Sequence, residues 1–378
     1  MQHSLTIGLA RMHAEAGERR DFLPDFVAGL EINRYQVYLE QGYGSGLGLT
    51  EKDYRQIAPA VKFVPWREVY QQDYVLVLRY PGDEVIRWMN PYSCLVSMLH
   101  YPTRPRRVEM LRSLNLDAIS LDSIKDDTGR RLVENLKSVA WNGVEVAFDI
   151  LKGIYPNPLG FESPTRRPVQ VTLLGAGAVG SQVIQAAIRY ADEAYRKKMY
   201  ALGVPGVLVN VLDYDLTCHP DTMEAILRRT DILIDATQRK EPSRPVIPNV
   251  WLEALPAHAV LLDLSVDPYD FNVEPPEVKG IEGIPQGDLD QYIFAPDDPA
   301  YDRLPAEIDR RNRRFAASCY SWPGIHPREC MDIYGKQLRP IFRTIIESNG
   351  VEHISPDGNY FHRAVARAML SRWQPEGE

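Results

Sequence analysis

The sequence predicts an α/β fold of two domains, with parallel sheets flanked by helices, and three observations carry that prediction. The chain has 378 residues, more than one ordinary hydrophobic core organises. Short apolar runs alternate with helical patterns through the first third, and a second such series begins near Val169. Several runs are apolar throughout rather than alternating, as strands covered on both faces require. The composition, 44% hydrophobic and 25% charged without a low-complexity tract, is that of a globular protein.

Taken in order, Leu5-Thr6-Ile7-Gly8-Leu9 reads as the opening strand, 26–31 as a short helix and Gln36-Val37-Tyr38-Leu39 as the second strand. Glycines at 42, 44, 46 and 48 then precede a helix-like 50–54. No Lys-Ser or Lys-Thr follows them, so they read as a flexible turn rather than a phosphate loop. Tyr74-Val75-Leu76-Val77-Leu78 and Leu95-Val96-Ser97-Met98-Leu99 read as buried parallel strands. Over 131–152, Leu132, Leu136, Val139, Val146 and Ile150 recur at helical spacing with Gly143 on the same face. That pattern predicts one long amphipathic helix. Pro156, Pro158, Pro164 and Pro168 follow as a linker. Further strands are expected over 169–174, 207–212, 232–236 and 260–264, then proline-rich loops over 268–305 and a last helix over 332–348.

The run Val169-Gln170-Val171-Thr172-Leu173-Leu174 enters Gly175-Ala176-Gly177-Ala178-Val179-Gly180, and a helix-like 181–190 follows. A G-x-G-x-x-G turn between strand and helix is the Rossmann dinucleotide fingerprint. Gly175 permits the tight turn, Gly177 lets the backbone approach a pyrophosphate, and Gly180 lets the helix pack on the sheet. Ala178 and Val179 complete the turn. Asp213, ending the next strand, is placed to accept hydrogen bonds from the adenosine ribose and to repel a 2'-phosphate, favouring NAD over NADP. It lies 33 residues beyond Gly180, against roughly 20 in the usual fingerprint, and an extended helix and loop over 189–206 accounts for the excess.

A formal net charge of -8 argues against a nucleic-acid partner. The basic run Arg310-Arg311-Asn312-Arg313-Arg314 reads as a solvated face on a helix-like stretch. Four scattered cysteines form no C-x-x-C pair, and Cys319, His326 and Cys330 match no common zinc spacing. Residues 1–4 do not open a signal peptide, and no apolar segment is long enough to span a bilayer. A soluble, cytoplasmic protein is expected.

At this point the residues resemble a family, the alanine dehydrogenase group, which includes the transhydrogenase NAD-binding subunit and lysine-forming saccharopine dehydrogenase. Glu18-Arg19-Arg20 with Leu23 is similar to its Glu-x-Arg-x-x-Leu segment. Leu78-Arg79-Tyr80-Pro81 and Met98-Leu99-His100 follow in order. Asp126 to Arg131 looks closer to the saccharopine branch, while the glycine turn and Asp213 look closer to alanine dehydrogenase. Leu262-Asp263-Leu264-Ser265-Val266-Asp267 is similar to the strand that delivers the family's catalytic aspartate.

The resemblance implies a discontinuous substrate domain, 1–135 and 320–378, with an NAD-binding domain, 136–319, inserted in it. It implies Arg20 as carboxylate anchor, His100 as acid/base, and Asp267 as the group that activates water or stabilises a cationic imine. Thr237, Leu264 and Trp322 fall among the expected cofactor contacts. Arg79 stands where the family usually places a lysine; it is never deprotonated, so it serves as a second carboxylate clamp rather than a proton carrier. Ser321-Trp322-Pro323-Gly324 replaces the family's Asn-Met-Pro-Gly. The expected protein is a homo-oligomeric, NAD-dependent oxidoreductase acting on the C–N bond of an amino acid, or joining a 2-oxo acid to an amino acid. A catalytically silent NAD-binding protein is the reading from another class. The expected partner is a small amino acid or 2-oxo acid, with no metal, nucleic acid or membrane.

Overall fold

The computed structural model describes residues 5–32, 35–156, 160–239 and 241–374. Residues 1–4 and Pro158, on which the leader and linker readings partly rest, lie outside them. The chain divides into two compact units, Met1–Asn135 with His326–Glu378, and Leu136–Ile325.

The first unit opens with β1 (Thr6–Leu9), α1 (Pro24–Ile32), β2 (Gln36–Glu40), α2 (Glu51–Ile57), β3 (Lys62–Val64) and α3 (Trp66–Val69). It continues with β4 (Tyr74–Arg79), α4 (Asp83–Ile86), β5 (Cys94–Met98), α5 (Pro105–Ser113) and β6 (Asp117–Ser120). All six strands are parallel, in the order β3-β2-β1-β4-β5-β6. This is the doubly wound order, with its reversal between β1 and β4. Residues 74–78 are buried, as their unbroken apolar character demands. Gly8 is required by packing: a Cβ there would meet the Val69 carbonyl oxygen at 2.1 Å.

The second unit comprises α6 (Leu136–Ile154), β7 (Val169–Leu174), α7 (Ala178–Ala187), α8 (Glu193–Ala201), β8 (Val207–Leu212), α9 (Tyr214–Thr217) and α10 (Pro220–Leu227). Then come β9 (Ile232–Asp235), β10 (Val260–Asp263), β11 (Ile293–Phe294) and β12 (Phe315–Ser318). Its sheet runs β11-β12-β10-β9-β7-β8, parallel except for β11. One strand, not two, therefore lies beyond β7 on the β8 side. Leu208 and Val211 of that edge strand stay 45% and 38% exposed.

Three sequence expectations need correction. The long helix starts at Leu136, not residue 131. Residues 126–130 form a turn that returns the chain, so that Arg131 pairs with Lys125 and the Leu132 N–H donates to the Ile124 carbonyl. Leu132 packs instead on the first unit's core. The excess between Gly180 and Asp213 is a separate helix, α8, started by Asp192, whose carboxylate accepts from the Ala194 and Tyr195 amides. Residues 310–314 are not helical, and of their arginines only Arg311 is exposed. Arg310 and Arg314 donate to carbonyls at 304–305 and at 252, 255 and 256, and Arg313 pairs with Asp302. Their release of the chain into β12, which no sequence pattern announced, places that strand beside β10.

The chain then returns to the first unit with α11 (Pro327–Glu347) and α12 (Tyr360–Ala368). Helix α11 packs on α1, with Gly335 against Phe26 and the Phe342 ring 6.2 Å from that of Phe26. Helix α12 was not anticipated; Asp127 anchors it by accepting from Arg363 and Arg367. Among the described residues no helix is long and apolar enough to cross a membrane.

Two polar contacts set expectations for stability. Asp231, fully buried, accepts from both terminal nitrogens of Arg167 at 2.7 and 2.8 Å and lies 2.8 Å from His258 Nε2. Replacing it by alanine strands those groups and should cost about 3 kcal/mol, the low end for a broken buried pair because Arg167 is half exposed. The thermal midpoint should fall by about 10 °C. Asp21 is the pH-sensitive one. Burial raises its carboxyl to about 7, although the Gly44 amide and Arg11 oppose that. A raised folded-state pKa means stability declines as pH climbs from 3.8 to about 7, because the fold must give up a proton it holds more tightly than the unfolded chain does. Asp21→Asn removes the penalty, so its thermal midpoint relative to the parent should be higher at pH 8 than at pH 5.

Candidate active site

Ligands of open α/β sheets bind outside the carboxyl ends of the strands, at the point where strand order reverses. In the first unit Arg20 lies on the segment leaving β1, Arg79 ends β4, and His100 stands two residues beyond β5. Arg20 is buried; its Nε and terminal nitrogen donate to the two Glu18 oxygens at 2.8 and 2.5 Å. Arg79 is 3.0 Å from Glu15. Both arginines act electrostatically on Tyr334 of α11, whose phenol is raised first by burial. Two guanidinium groups from neighbouring strands thus serve one region of the sheet edge.

His100 adopts a left-handed backbone, φ 52°, which a non-glycine residue rarely does without a constraint. Asp122, just past β6, supplies it. One carboxylate oxygen accepts from the Leu99 and His100 amides at 3.0 and 3.1 Å and from the Ser120 hydroxyl at 2.7 Å. The other lies 3.4 Å from His100 Nδ1. Burial pushes the Asp122 carboxyl up, but the His100 contacts and the Ser120 hydroxyl outweigh it and hold the group well below the usual carboxylate range. An ionised Asp122 fixes Nδ1 as the donor and leaves Nε2 to exchange protons. The imidazole is 49% exposed.

In the second unit the glycine turn leaves β7 and opens α7. Gly175 has φ 92°, and a Cβ there would meet the Ala236 carbonyl oxygen at 2.9 Å. A Cβ on Gly180 would lie 2.2 Å from the Gly175 carbonyl oxygen. At Gly177 a Cβ would meet nothing within 4 Å: the space above the turn is open where Ala178 and Val179 begin the helix. Asp213 ends β8 as an exposed carboxylate and accepts from the Tyr214 amide at 2.8 Å. Thr237, past β9, donates through its amide and hydroxyl to Asp235 at 3.0 and 2.7 Å.

Beneath this edge lies a buried charged cluster. Lys279 Nζ is 2.5 Å from Asp263, 3.4 Å from the Ser318 hydroxyl, and donates to the Asp267 carbonyl at 2.9 Å. Burial acts against the Asp263 charge, yet Lys279 beside it holds the carboxyl low. Asp235, nearby, is raised to about 6 by burial and by the Asp263 charge; the Ser265 hydroxyl reaches both carboxylates. The turn from β10 to Asp267 passes through Val266 at φ 62°, a left-handed conformation that a β-branched residue adopts only under constraint. The Asp267 carboxylate itself is 2.6 Å from Arg239.

Two expected cofactor contacts have buried side chains. Trp322 is 1% exposed and donates through Nε1 to the Asp263 carbonyl. Leu264 is buried where Gly143 of α6 passes closest. Both side chains belong to the core that supports the edge. Sequence reasoning missed Asp122, Arg239, Lys279 and the pair His13–Glu40, which joins the segment after β1 to the last residue of β2 at 2.6 Å. Only Asp122 left a signal, an acid closing the apolar run at 118–121. His13, Arg239 and Lys279 come from loops whose course no local pattern fixes.

Residues 13–141 match the family described as alanine dehydrogenase/PNT, N-terminal domain. The alanine dehydrogenase of Geobacillus stearothermophilus is 20% identical over 278 residues, which cover 70% of this chain and 72% of that protein. A solved L-alanine dehydrogenase superposes with a TM-score of 0.71 at 17% identity, covering 97% of this chain and 94% of its own. The transhydrogenase of Sinorhizobium meliloti gives 0.62 at 16% identity, covering 90% and 94%. Residues 13–141 are therefore similar to the alanine dehydrogenase/PNT N-terminal domain, and the chain shares the two-domain α/β fold of alanine dehydrogenase.

Proposed function

We propose that this chain is an NAD-dependent oxidoreductase acting on the C–N bond of an amino acid. The glycine turn carries the reading: it is closed by contacts only glycine allows at 175 and 180, and open at 177, where a pyrophosphate would approach. Gly175, Gly177, Ala178, Val179 and Gly180 would hold the pyrophosphate and Asp213 the adenosine ribose, which favours NAD over NADP. Thr237, past β9, would add a further cofactor contact. When bound, the nicotinamide supplies hydride transfer.

The chain's own residues supply the rest. Arg20 and Arg79 bind the carboxylate next to the reacting carbon. His100, held by Asp122, gives a proton to the departing carbonyl oxygen in the reductive direction and takes one back in the oxidative direction. Asp267, aimed by Lys279 and Arg239, stabilises the cationic nitrogen centre. The balanced reaction joins a 2-oxo acid, ammonium, NADH and a proton to give the amino acid, NAD and water. The relatives' printed activity, that of an alanine dehydrogenase, supports this class. Exchange of ammonium for an amino acid gives the opine-type variant, favoured by the abundance of guanidinium groups along the sheet edge.

Two results are expected. Gly177→Val should weaken NADH binding at least tenfold, about 1.4 kcal/mol, in a fluorescence titration, with the thermal midpoint nearly unchanged because the added atoms enter open space. His100→Ala should lower kcat for NADH consumption with 2-oxo acids and ammonium or amino acids by about 10²–10⁴ while leaving NADH affinity intact. A parent protein that binds NADH and turns over none of these mixtures would sink the oxidoreductase reading in favour of a silent nucleotide-binding protein.

A further inference from the structure

Arg107 of α5 is the guanidinium at this edge that the scheme above leaves without a task. It sits over the Tyr80 ring, 4.0 Å from the centroid, and donates to the Leu99 carbonyl at 3.0 Å. Tyr80 follows Arg79 at the end of β4, and Leu99 precedes His100 at the end of β5. Arg107 therefore spans the two strand ends that present the carboxylate clamp and the acid/base.

Among the described residues no carboxylate lies within ion-pair distance of Arg107. The two nearest in effect are already engaged: Asp83 accepts from the Tyr80 hydroxyl at 2.5 Å, and Asp122 is committed to His100, Ser120 and the backbone. Arg20 and Arg79, by contrast, each face a glutamate. Arg104 and Arg106 add positive charge on the same segment, in a chain whose net charge is -8. A half-buried guanidinium gives up hydration, and proteins normally offset that with a paired anion. A carbonyl hydrogen bond and a stack need no cluster of cations.

We propose that Arg107 receives a second carboxylate of the substrate, so that the enzyme acts on a dicarboxylic 2-oxo acid and the amine formed from it. This rests on the reading that His100 marks the reacting carbon. The tyrosine stack holds the planar fork in place, and planar, bidentate recognition of a carboxylate is what a guanidinium does better than an ammonium.

The test compares pyruvate with oxaloacetate and 2-oxoglutarate, each with NADH and ammonium, in the full-length parent, Arg107→Met, Arg107→Gln and Arg107→Lys. Glutamine retains a donor toward the Leu99 carbonyl, which guards against mere misfolding. The parent should prefer a dicarboxylate. The ratio of kcat/KM for that acid over pyruvate should fall at least tenfold in the Met and Gln variants and recover in part with Lys. Equal losses for all acids, or a parent that prefers pyruvate, would overturn the proposal. Calorimetric titration of the same acids into the NADH-loaded proteins gives a readout independent of turnover. Tighter dicarboxylate binding by the parent than by Arg107→Met supports the subsite even if no acid is reduced; equal binding rejects it. Failure of turnover alone falls on the oxidoreductase reading, not on Arg107.

Discussion

The ion pair of Lys279 with Asp263 is the contact on which the strand-end geometry of the second unit depends. Both side chains are all but inaccessible, at 1% and 2% exposure, so each gives up several kcal/mol of hydration that attraction at short range must return. The return is adequate only when the remaining donors and acceptors are also met. Here they are: Asp263 also accepts from Ser318 and from the Val266 amide, while Lys279 also donates to the Asp267 carbonyl. Three elements are joined by one charge pair: β10, β12 and the segment at 278–280 that folds back over the strand ends. Hydrophobic residues of equal volume would bury as well but would not fix the path of the chain from Asp263 to Asp267.

That path includes the left-handed Val266, and the first unit repeats the arrangement with different residues. There a buried aspartate, Asp122, binds two successive amides and so holds His100 in its own left-handed conformation. In both units a carboxylate under the strand ends stabilises a backbone conformation that costs of order 1–3 kcal/mol. In both, the strained residue is, or adjoins, a side chain with acid–base capacity. A neutral hydrogen-bonding partner would meet the same amides but not bias the imidazole or balance the lysine. The charge on each buried aspartate is what links backbone geometry to the electrostatics of the group above it.

Much of this architecture is legible in the sequence because it is local. Runs such as 74–78 must be strands covered on both faces, and the glycine turn must join a strand to a helix. The candidate site residues that sequence reading names, Arg20, Arg79, His100 and Asp267, lie within two residues of a strand end or on the segment just after one. The partners that determine their state do not. Glu15 reaches Arg79 from a loop 64 residues earlier in the chain, Lys279 and Arg239 come from irregular segments, and Trp322 turns inward although its neighbours suggest a cofactor contact. Nor does a basic run announce whether its arginines face water or cap carbonyls; at 310–314 the orphan carbonyls of 252–256 decide it. Loop course depends on distant backbone groups that need partners, and no window of sequence contains them.

The glycine turn shows why one motif survives substantial rebuilding around it. Helix α8 is inserted between α7 and β8, and the sheet carries one strand fewer on that side than the doubly wound order provides. Neither change touches the turn, because its geometry is fixed by three short contacts: Gly175 against Ala236, Gly180 against the Gly175 carbonyl, and the Gly175 amide donating to the Leu212 carbonyl. All three lie within β7, its two neighbours β8 and β9, and the first turn of α7. Asp213 follows the last of these contacts by one residue, so its position is tied to the turn through the β7–β8 register and not through the length of chain between them. Sequence spacing is therefore a poor measure of this motif, whereas the strand pair that carries both ends of it is a good one.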